Sequence, residues 1–338
     1  MDKTALEKNA NALVEKGKGI LAADESNATV TKRFEAVKIA SSEATRQTYR
    51  DLLFTAPAIE EYISGVIMYD ETIRQNALNG QAFPALLAEK GIIPGIKVDK
   101  GAKEMAGFPG EKITEGLDGL RERLGDYYKL GARFAKWRAV IVIGKNLPSR
   151  ACMTANAHAL ARYAALCQEN DIVPIIEPET LMDGDHTIER CYEVTRAILK
   201  TTFSEMMEMD IFLEGLILKP NMVVAGKGCP QQASVSQVAE MTIRCLRETV
   251  PAAVPGVAFL SGGQNAVLAT EHLNAMNNLG EQPWEVSFSF ARALQDPAIS
   301  TWRGEPGNVT AAQKAFSHRA RCNSAARFGK YTITMESI

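Results

Sequence analysis

The sequence has few of the features that mark metal-binding, redox or membrane proteins. Its six cysteines form no CxxC pair, and its four histidines lie far apart, without an HxH or HExxH pattern. Scattered cysteines in a long chain are typical of reduced, buried thiols, and isolated histidines predict no metal site. No apolar run reaches 18 residues and no signal-like segment opens the chain. We therefore expect a cytoplasmic protein that has no membrane partner.

Charge is also nearly balanced. The net charge of −2 argues against a generally basic surface, so we expect no nucleic-acid partner. With 338 residues and 46% apolar content, the chain can bury one barrel-sized core or two smaller ones. No Pro/Gly/Ser-rich linker or low-complexity block interrupts it. A single domain over residues 1–338, with an N-terminal helix and a short C-terminal segment, is the prediction.

Short apolar segments alternate with segments of helical spacing along the whole chain. The predicted strands are 20–24, 62–70, 92–99, 132–140, 172–179, 213–221, 256–263 and 284–289. The predicted helices lie near 6–16, 43–54, 117–129, 155–169, 188–209, 235–248 and 272–278. Near-continuous apolar strands between helices predict a (β/α)8 TIM barrel. An open doubly wound sheet is the alternative, but no GxGxxG follows the first strand, and eight units favour closure.

Polar residues occur where these strands end. They are Asp24, Lys97, Lys136, Arg138, Glu177, Glu179, Lys219 and Ser261. The active sites of such barrels are built on the rim formed by the carboxyl ends of the strands. A structural layer of ion pairs is the alternative. Because strand interiors favour neither lysine nor glutamate, so many charged groups on one rim indicate binding or catalysis.

Lys219 ends an apolar run and is followed by Pro220, so it is predicted to present an amine at the end of a buried strand. It could simply extend its amine to solvent. Alternatively, desolvation and a nearby cation such as Lys136 favour the neutral amine, which attacks carbonyl carbon. Glu177 and Glu179 lie two residues apart on one strand face, and one carboxyl of such a pair can be held partly protonated for acid/base catalysis.

Two clusters of anion-binding groups are predicted on either side of Lys219. Ser261, Gly262 and Gly263 can offer backbone N–H groups to a phosphate, and Arg292 follows the last strand. The second cluster, after the first strand, comprises Ser26, Thr29, Lys32 and Arg33. Two anion sites that flank a lysine indicate a substrate with a phosphate at each end.

Six segments carry most of the predicted rim residues: GILAADES at 19–26, GIKVDKG at 95–101, FAKWR at 134–138, VPIIEPE at 173–179, LKPNM at 218–222 and FLSGGQ at 259–264. These segments resemble motifs of the class I (Schiff-base) fructose-1,6-bisphosphate aldolases. They occur in family order, and the resemblance covers about residues 10–330.

The resemblance implies a role for each catalytic residue. Lys219 matches the lysine that forms the Schiff base, and Glu177 matches the acid/base that dehydrates the carbinolamine and takes the C4 hydroxyl proton. Asp24 matches the carboxylate that orients substrate and lysine. Lys136 matches the cation that stabilises developing charge, and Glu179 matches a partner in the same charge network. Because the iminium is the electron sink, the resemblance implies no cofactor and no metal.

The resemblance also implies which groups bind the two phosphates. Ser261, Gly262 and Arg292 match the cradle for the phosphate of the dihydroxyacetone half. The groups that match the other phosphate site are Ser26, Lys32, Arg33, Lys97 and Arg138.

The expected activity is reversible cleavage of fructose 1,6-bisphosphate into dihydroxyacetone phosphate and glyceraldehyde 3-phosphate, in glycolysis and gluconeogenesis. Phosphorylated sugars are thus the expected substrates, and the resemblance implies a homotetramer. Alternatives are a preference for fructose 1-phosphate or sedoheptulose 1,7-bisphosphate, and cytoskeletal (actin) binding as a secondary role.

Three positions depart from the family pattern. Asn27-Ala28-Thr29 replaces the usual threonine-glycine-serine and keeps a hydroxyl, whereas Phe290-Ala291 replaces tyrosine-glycine and adds a methyl near a phosphate site. The sequence ends at Ile338, soon after Tyr331, whereas animal and plant members carry a longer tail that ends in tyrosine. We therefore expect another group to protonate the enamine.

Overall fold

The computed structural model describes residues 1–337 and contains a closed barrel of eight parallel strands, which confirms the predicted (β/α)8 fold. The strands are β1 (Gly19–Ala23), β2 (Ile63–Met68), β3 (Ile93–Lys97), β4 (Ala102–Glu104), β5 (Lys112–Thr114), β6 (Phe134–Ile141), β7 (Val173–Thr180), β8 (Ile217–Leu218), β9 (Gly256–Phe259) and β10 (Glu285–Phe290). All except β4 and β5 belong to the barrel, which closes where Ile20 of β1 pairs with Ser289 of β10.

Helices surround the barrel. They are α1 (Lys3–Leu13), α2 (Asn27–Ala36), α3 (Glu43–Phe54), α4 (Asp70–Ile73), α5 (Phe83–Glu89), α6 (Leu120–Lys129), α7 (Arg150–Glu169), α8 (Ile188–Glu208), α9 (Val235–Arg247), α10 (Ala266–Asn277), α11 (Arg292–Trp302) and α12 (Val309–Arg327). Short 3-10 turns occur at Ile59–Glu61, Leu213–Gly215, Pro306–Asn308 and Ile333–Glu336. No helix within residues 1–337 combines the length and apolarity needed to cross a membrane.

Capping residues explain where several helices begin. Ser42, Ser149, Thr187 and Ser234 each accept a hydrogen bond from the backbone N–H three residues later. The predicted helix at 272–278 in fact begins at Ala266, because the Asn265 side chain accepts from the N–H of Val267.

Aromatic rings fill the amino-terminal end of the barrel. A Cβ on Gly95 would lie 2.2 Å from the ring of Phe134, and one on Gly19 would lie 2.5 Å from the ring of Phe288. Glycine at these positions leaves room for the rings. The buried side of α1 packs in one apolar cluster with Phe134. This end is therefore packed with side chains, and the opposite, carboxyl-terminal end is left for the site.

Two sequence predictions about strands are wrong. Leu213–Gly215 forms a 3-10 turn, so the predicted strand 213–221 is reduced to Ile217–Leu218. The glycine-rich loop predicted after β3 instead contains the antiparallel hairpin β4–β5. Its short strands carry Lys103, Glu104 and Lys112 and lack apolar alternation, so the sequence did not indicate them.

The segment after β8 is buried although it has no regular secondary structure. Residues 219–226 are all buried. The Asn221 side chain accepts from the N–H of Thr180 at 2.8 Å and donates to Thr195 Oγ1 at 3.1 Å. The N–H of Val223 donates to Thr242 Oγ1 at 2.9 Å. A backbone N–H of β7 and threonine side chains of α8 and α9 thus take the place of a strand ladder in ordering this segment.

Candidate active site

A cavity of about 630 Å³ opens at the carboxyl ends of the barrel strands. Every residue that the sequence predicted for the site lines this cavity, except Gly263. The barrel therefore brings together, at the carboxyl ends of its strands, predicted site residues that are up to about 270 residues apart in the chain.

Four buried side chains form the centre of the cavity. Lys219 Nζ lies 3.1 Å from Glu177 Oε1, and Lys136 Nζ lies 2.7 Å from Asp24 Oδ2 and 3.3 Å from Glu177 Oε2. Glu177 therefore lies between the two lysines, and the site has two ammonium groups facing two carboxylates. Glu177 Oε2 is buried and accepts no hydrogen bond of normal geometry from residues 1–337, so the ion pair with Lys136 is its polar contact.

These charges stabilise one another. Burial would raise the pKa of Asp24, but Lys136 and Lys219 outweigh it and lower the pKa to about 2. Burial would lower the pKa of Lys136, but Asp24 and Glu177 raise it well above its ordinary value. Burial likewise opposes the charge of Glu177, yet Lys219, Lys136 and Arg138 lower its pKa. Neighbouring cations thus favour the ionised form of Glu177, and the partly protonated carboxyl expected of the Glu177–Glu179 pair stays a prediction.

Glu179 is held by Arg138, whose Nε donates to Glu179 Oε2. Lys97 Nζ lies 2.9 Å from Asp99 Oδ1. Asp99 also accepts from the backbone N–H groups of Gly101 at 3.1 Å and Arg138 at 3.3 Å. The buried Asp99 carboxylate therefore fixes both Lys97 and the strand that carries Arg138.

The loop after β9 and the start of α11 form one end of the cavity. Gly262 and Gly263 have φ of +61° and +86°, a conformation that favours glycine. A Cβ on Gly263 would lie 2.7 Å from Arg292 Nη2, so Gly263 makes room for this guanidinium although it does not line the cavity itself. Arg292 is the first residue of α11, and Ser261 and Ala291 line the cavity beside it. A cation at a helix N-terminus is suited to a phosphate.

The start of α2 forms the other end. Ser26 caps this helix, and its hydroxyl lies 3.0 Å from that of Thr29, so the hydroxyl retained at this departure from the family pattern faces the cavity. Lys32 and Arg33 line the cavity from the same helix. Arg33 Nη2 donates to Asp296 Oδ1 at 2.7 Å, and its Nη1 contacts Glu25.

Sequence reasoning did not single out Glu25, Asp99, Ser289 and Asp296. Glu25 and Asp99 lie inside the quoted motifs, next to Asp24 and two residues after Lys97, so proximity to a predicted site residue was an available signal. Asp296 lies 263 residues from Arg33, and no sequence pattern connects the two.

One group of potential metal ligands comes together within residues 1–337. His318, Cys322 and Glu336 have ligand atoms within 4.8 Å of one another, away from the cavity. Glu336 is already engaged by the Arg319 guanidinium and by the Tyr331 hydroxyl at 2.7 Å. A cation beside Glu336 opposes metal binding, and the absence of a metal from the catalytic cavity stays a prediction.

The chain resembles known proteins along almost its full length. Residues 5–338 match the family model described as fructose-bisphosphate aldolase class-I. The chain belongs to this family. A probable class 1 fructose-bisphosphate aldolase of Xanthomonas campestris is 56% identical over 327 residues, which are 96% of this chain and 98% of that protein. The fructose-bisphosphate aldolase of Dictyostelium discoideum is 53% identical over 96% of this chain and 91% of its own.

A solved structure of the family has the same fold. The fructose-bisphosphate aldolase of Plasmodium falciparum, solved in complex with TRAP and a small-molecule inhibitor, matches with a TM-score of 0.96 and 47% identity. The match covers 98% of this chain and 96% of the Plasmodium chain. The barrel described above is therefore the fold of this family.

Proposed function

We propose that this class I aldolase cleaves fructose 1,6-bisphosphate reversibly into dihydroxyacetone phosphate and glyceraldehyde 3-phosphate through a Schiff base on Lys219. The observation that carries the proposal is the 3.1 Å contact between Lys219 Nζ and Glu177 Oε1 in a buried site with cations at both ends. A nucleophilic amine beside a carboxylate that can take and return its proton is what iminium formation needs.

Proton transfer from Lys219 to Glu177 produces a neutral amine, which attacks the C2 carbonyl. Glu177 then gives this proton to the carbinolamine hydroxyl, which leaves as water, and the iminium remains. The Glu177 carboxylate next takes the C4 hydroxyl proton. The C3–C4 bond breaks, the aldehyde departs, and the bonding electrons move to the iminium to form an enamine. Glu177 or a water molecule returns a proton to C3, and water then hydrolyses the resulting iminium, which releases dihydroxyacetone phosphate and the Lys219 amine.

The remaining charged residues bind and orient the substrate. Asp24 and Lys136, 2.7 Å apart, hold the substrate hydroxyls and stabilise developing charge, while Glu179 fixes Arg138. We assign the phosphate of the ketone half to Ser261, Gly262, Gly263 and Arg292. We assign the other phosphate to Ser26, Thr29, Lys32, Arg33, Lys97 and Arg138.

Two cationic ends in one cavity favour a bisphosphate over fructose 1-phosphate as substrate. Leu6, Ala10 and Leu13 on the buried side of α1 pack against side chains inside the barrel. We therefore propose that residues 1–338 form one domain. By analogy with the family, we further propose a cytoplasmic homotetramer.

Trapping with borohydride tests the mechanism. Incubation with dihydroxyacetone phosphate and borohydride should leave a reduced adduct on Lys219, detectable by peptide mass, because hydride reduces an iminium but not a metal-bound enediolate. Turnover of fructose 1,6-bisphosphate, fructose 1-phosphate and sedoheptulose 1,7-bisphosphate should be insensitive to a chelator. Absence of the adduct, or inactivation by the chelator, would contradict the Schiff-base mechanism.

A further inference from the structure

The protein itself supplies anions to Arg33, one of the cations at the α2 end of the cavity. The Arg33 side chain is 15% exposed. Its Nη2 donates to Asp296 at 2.7 Å, and its Nη1 contacts Glu25. Both terminal nitrogens of the guanidinium therefore have carboxylate partners before a substrate arrives.

The Glu25 and Asp296 carboxylates differ in burial and in the number of their hydrogen-bond partners. The Glu25 side chain is 9% exposed and also accepts from Arg50 at 2.9 Å and Gln295 at 3.0 Å. The Asp296 side chain is 54% exposed, and Arg33 is its one side-chain partner within residues 1–337. An incoming anion therefore displaces Asp296 more readily than Glu25, because Asp296 loses one contact and regains water.

We propose that Asp296 is a specificity-determining residue that competes with the second phosphate of a sugar bisphosphate for Arg33. The inference rests on the proposed function, in which Arg33 serves the phosphate remote from the ketone. A phosphate at Arg33 takes the nitrogen that Asp296 occupies and lies next to its carboxylate. Asp296 thus weakens binding of the bisphosphate and leaves binding of a ketose that lacks this phosphate unchanged.

Asp296 contacts Arg33 from the helix that also carries Arg292. Asp296 lies four residues after Arg292 on α11, so the two side chains lie on the same helix face, one turn apart. In the proposed function Arg292 serves the phosphate of the ketone half, whereas Arg33, the partner of Asp296, serves the other phosphate. A single helix therefore attracts one phosphate and opposes the other.

Asp296→Asn tests the proposal because it removes the charge and keeps the size of the side chain. The KM for fructose 1,6-bisphosphate should fall roughly two- to fivefold, the range of an exposed ion pair, while the KM for fructose 1-phosphate should not change. Raised ionic strength should reduce the difference between wild type and variant. Asp126→Asn is the control, because Asp126 is an exposed partner of one cation, Lys129, on α6, outside the cavity.

Arg33→Ala separates this proposal from the proposed function. If Arg33→Ala weakens fructose 1,6-bisphosphate more than fructose 1-phosphate while Asp296→Asn changes neither, Arg33 binds phosphate and Asp296 does not compete, so the proposal is overturned. It is also overturned if Asp296→Asn changes both substrates equally or weakens the bisphosphate. If the wild type turns over neither sugar phosphate, the proposed function itself fails.

Discussion

The Lys136 ammonium lies 2.7 Å from the Asp24 carboxylate, and each group keeps the other charged inside the barrel. The pKa of Asp24 is lowered to about 2, against the burial that would raise it, by Lys136 and Lys219. A carboxyl group whose pKa is lower in the folded than in the unfolded protein stabilises the fold above its unfolded pKa. That contribution is lost as pH falls from about 4 to about 2.

Asp24→Asn should therefore lower the free energy of unfolding by about 2 kcal/mol at pH 7, because the charge of Lys136 loses its nearest partner. Urea unfolding at pH 7, 5 and 3 should show that the difference from wild type decreases at the lowest pH. Asp126→Asn, at an exposed pair, should stay within about 0.5 kcal/mol of wild type throughout. A difference for Asp24→Asn that is independent of pH would show that charge is not the cause.

Replacement of Lys219 should abolish turnover without unfolding the protein. Lys219→Met removes the amine, and Lys219→Arg retains a positive charge but not a nucleophile, because guanidinium stays protonated. Neither variant should give a borohydride adduct, and steady-state assays should find both at background. Substantial activity in Lys219→Arg would show that the lysine acts as a cation only.

Arg292→Ala should weaken both dihydroxyacetone phosphate and fructose 1,6-bisphosphate by about 2 kcal/mol, because it removes a charge-assisted contact with the phosphate they share. Gly263→Ala should weaken them in the same direction, since the new methyl would lie 2.7 Å from Arg292 Nη2. Inhibition constants and KM values measure both effects.

Gly280→Ala is the matched control for Gly263→Ala. Gly280 has nearly the same φ, +85°, and no atom lies within 4 Å of the position of its Cβ. The Gly280→Ala substitution therefore introduces backbone strain similar to that of Gly263→Ala, but without a steric contact. Equal effects of the two variants on KM would contradict the role assigned to Gly263.

Gly95→Ala should lower the free energy of unfolding by about 1–3 kcal/mol, because the new methyl would overlap the Phe134 ring at the amino-terminal end of the barrel. Phe134→Leu combined with Gly95→Ala should recover part of the loss, whereas Gly307→Ala, where nothing lies within 4 Å, should be nearly neutral. Urea unfolding of the single and double variants gives the coupling energy. Additive effects would show that the ring and the methyl do not meet.

The sequence predicted the barrel and the rim residues because each signal was local: an apolar run, a turn and a polar residue where the run ends. The same signal failed for 213–221, because burial makes a 3-10 turn and a strand look alike in composition. It also missed the hairpin β4–β5, whose pairing depends on contacts with α7 and β6 rather than on its own polar residues.

The charge states of the site residues and their long-range ion pairs could not be predicted from the sequence either. The sequence shows that Glu177 and Glu179 lie two residues apart, but it does not show which cation each carboxylate contacts. Lys219 and Lys136 keep Glu177 ionised, while Glu179 pairs with Arg138. The contact between Arg33 and Asp296 joins two helices at opposite ends of the chain and exists only because the barrel closes.

The irregular segment after β8 has a consequence for recombining aldolases of different species. Lys219 is followed by residues that hydrogen bond to Thr180 on β7, Thr195 on α8 and Thr242 on α9. A chimera that exchanges either outer helix therefore also exchanges a support of the nucleophile, although neither helix reaches the cavity lining. Crossover points on this scaffold must keep Thr195 and Thr242 together with the segment they hold, whereas Thr180 contributes only its backbone N–H.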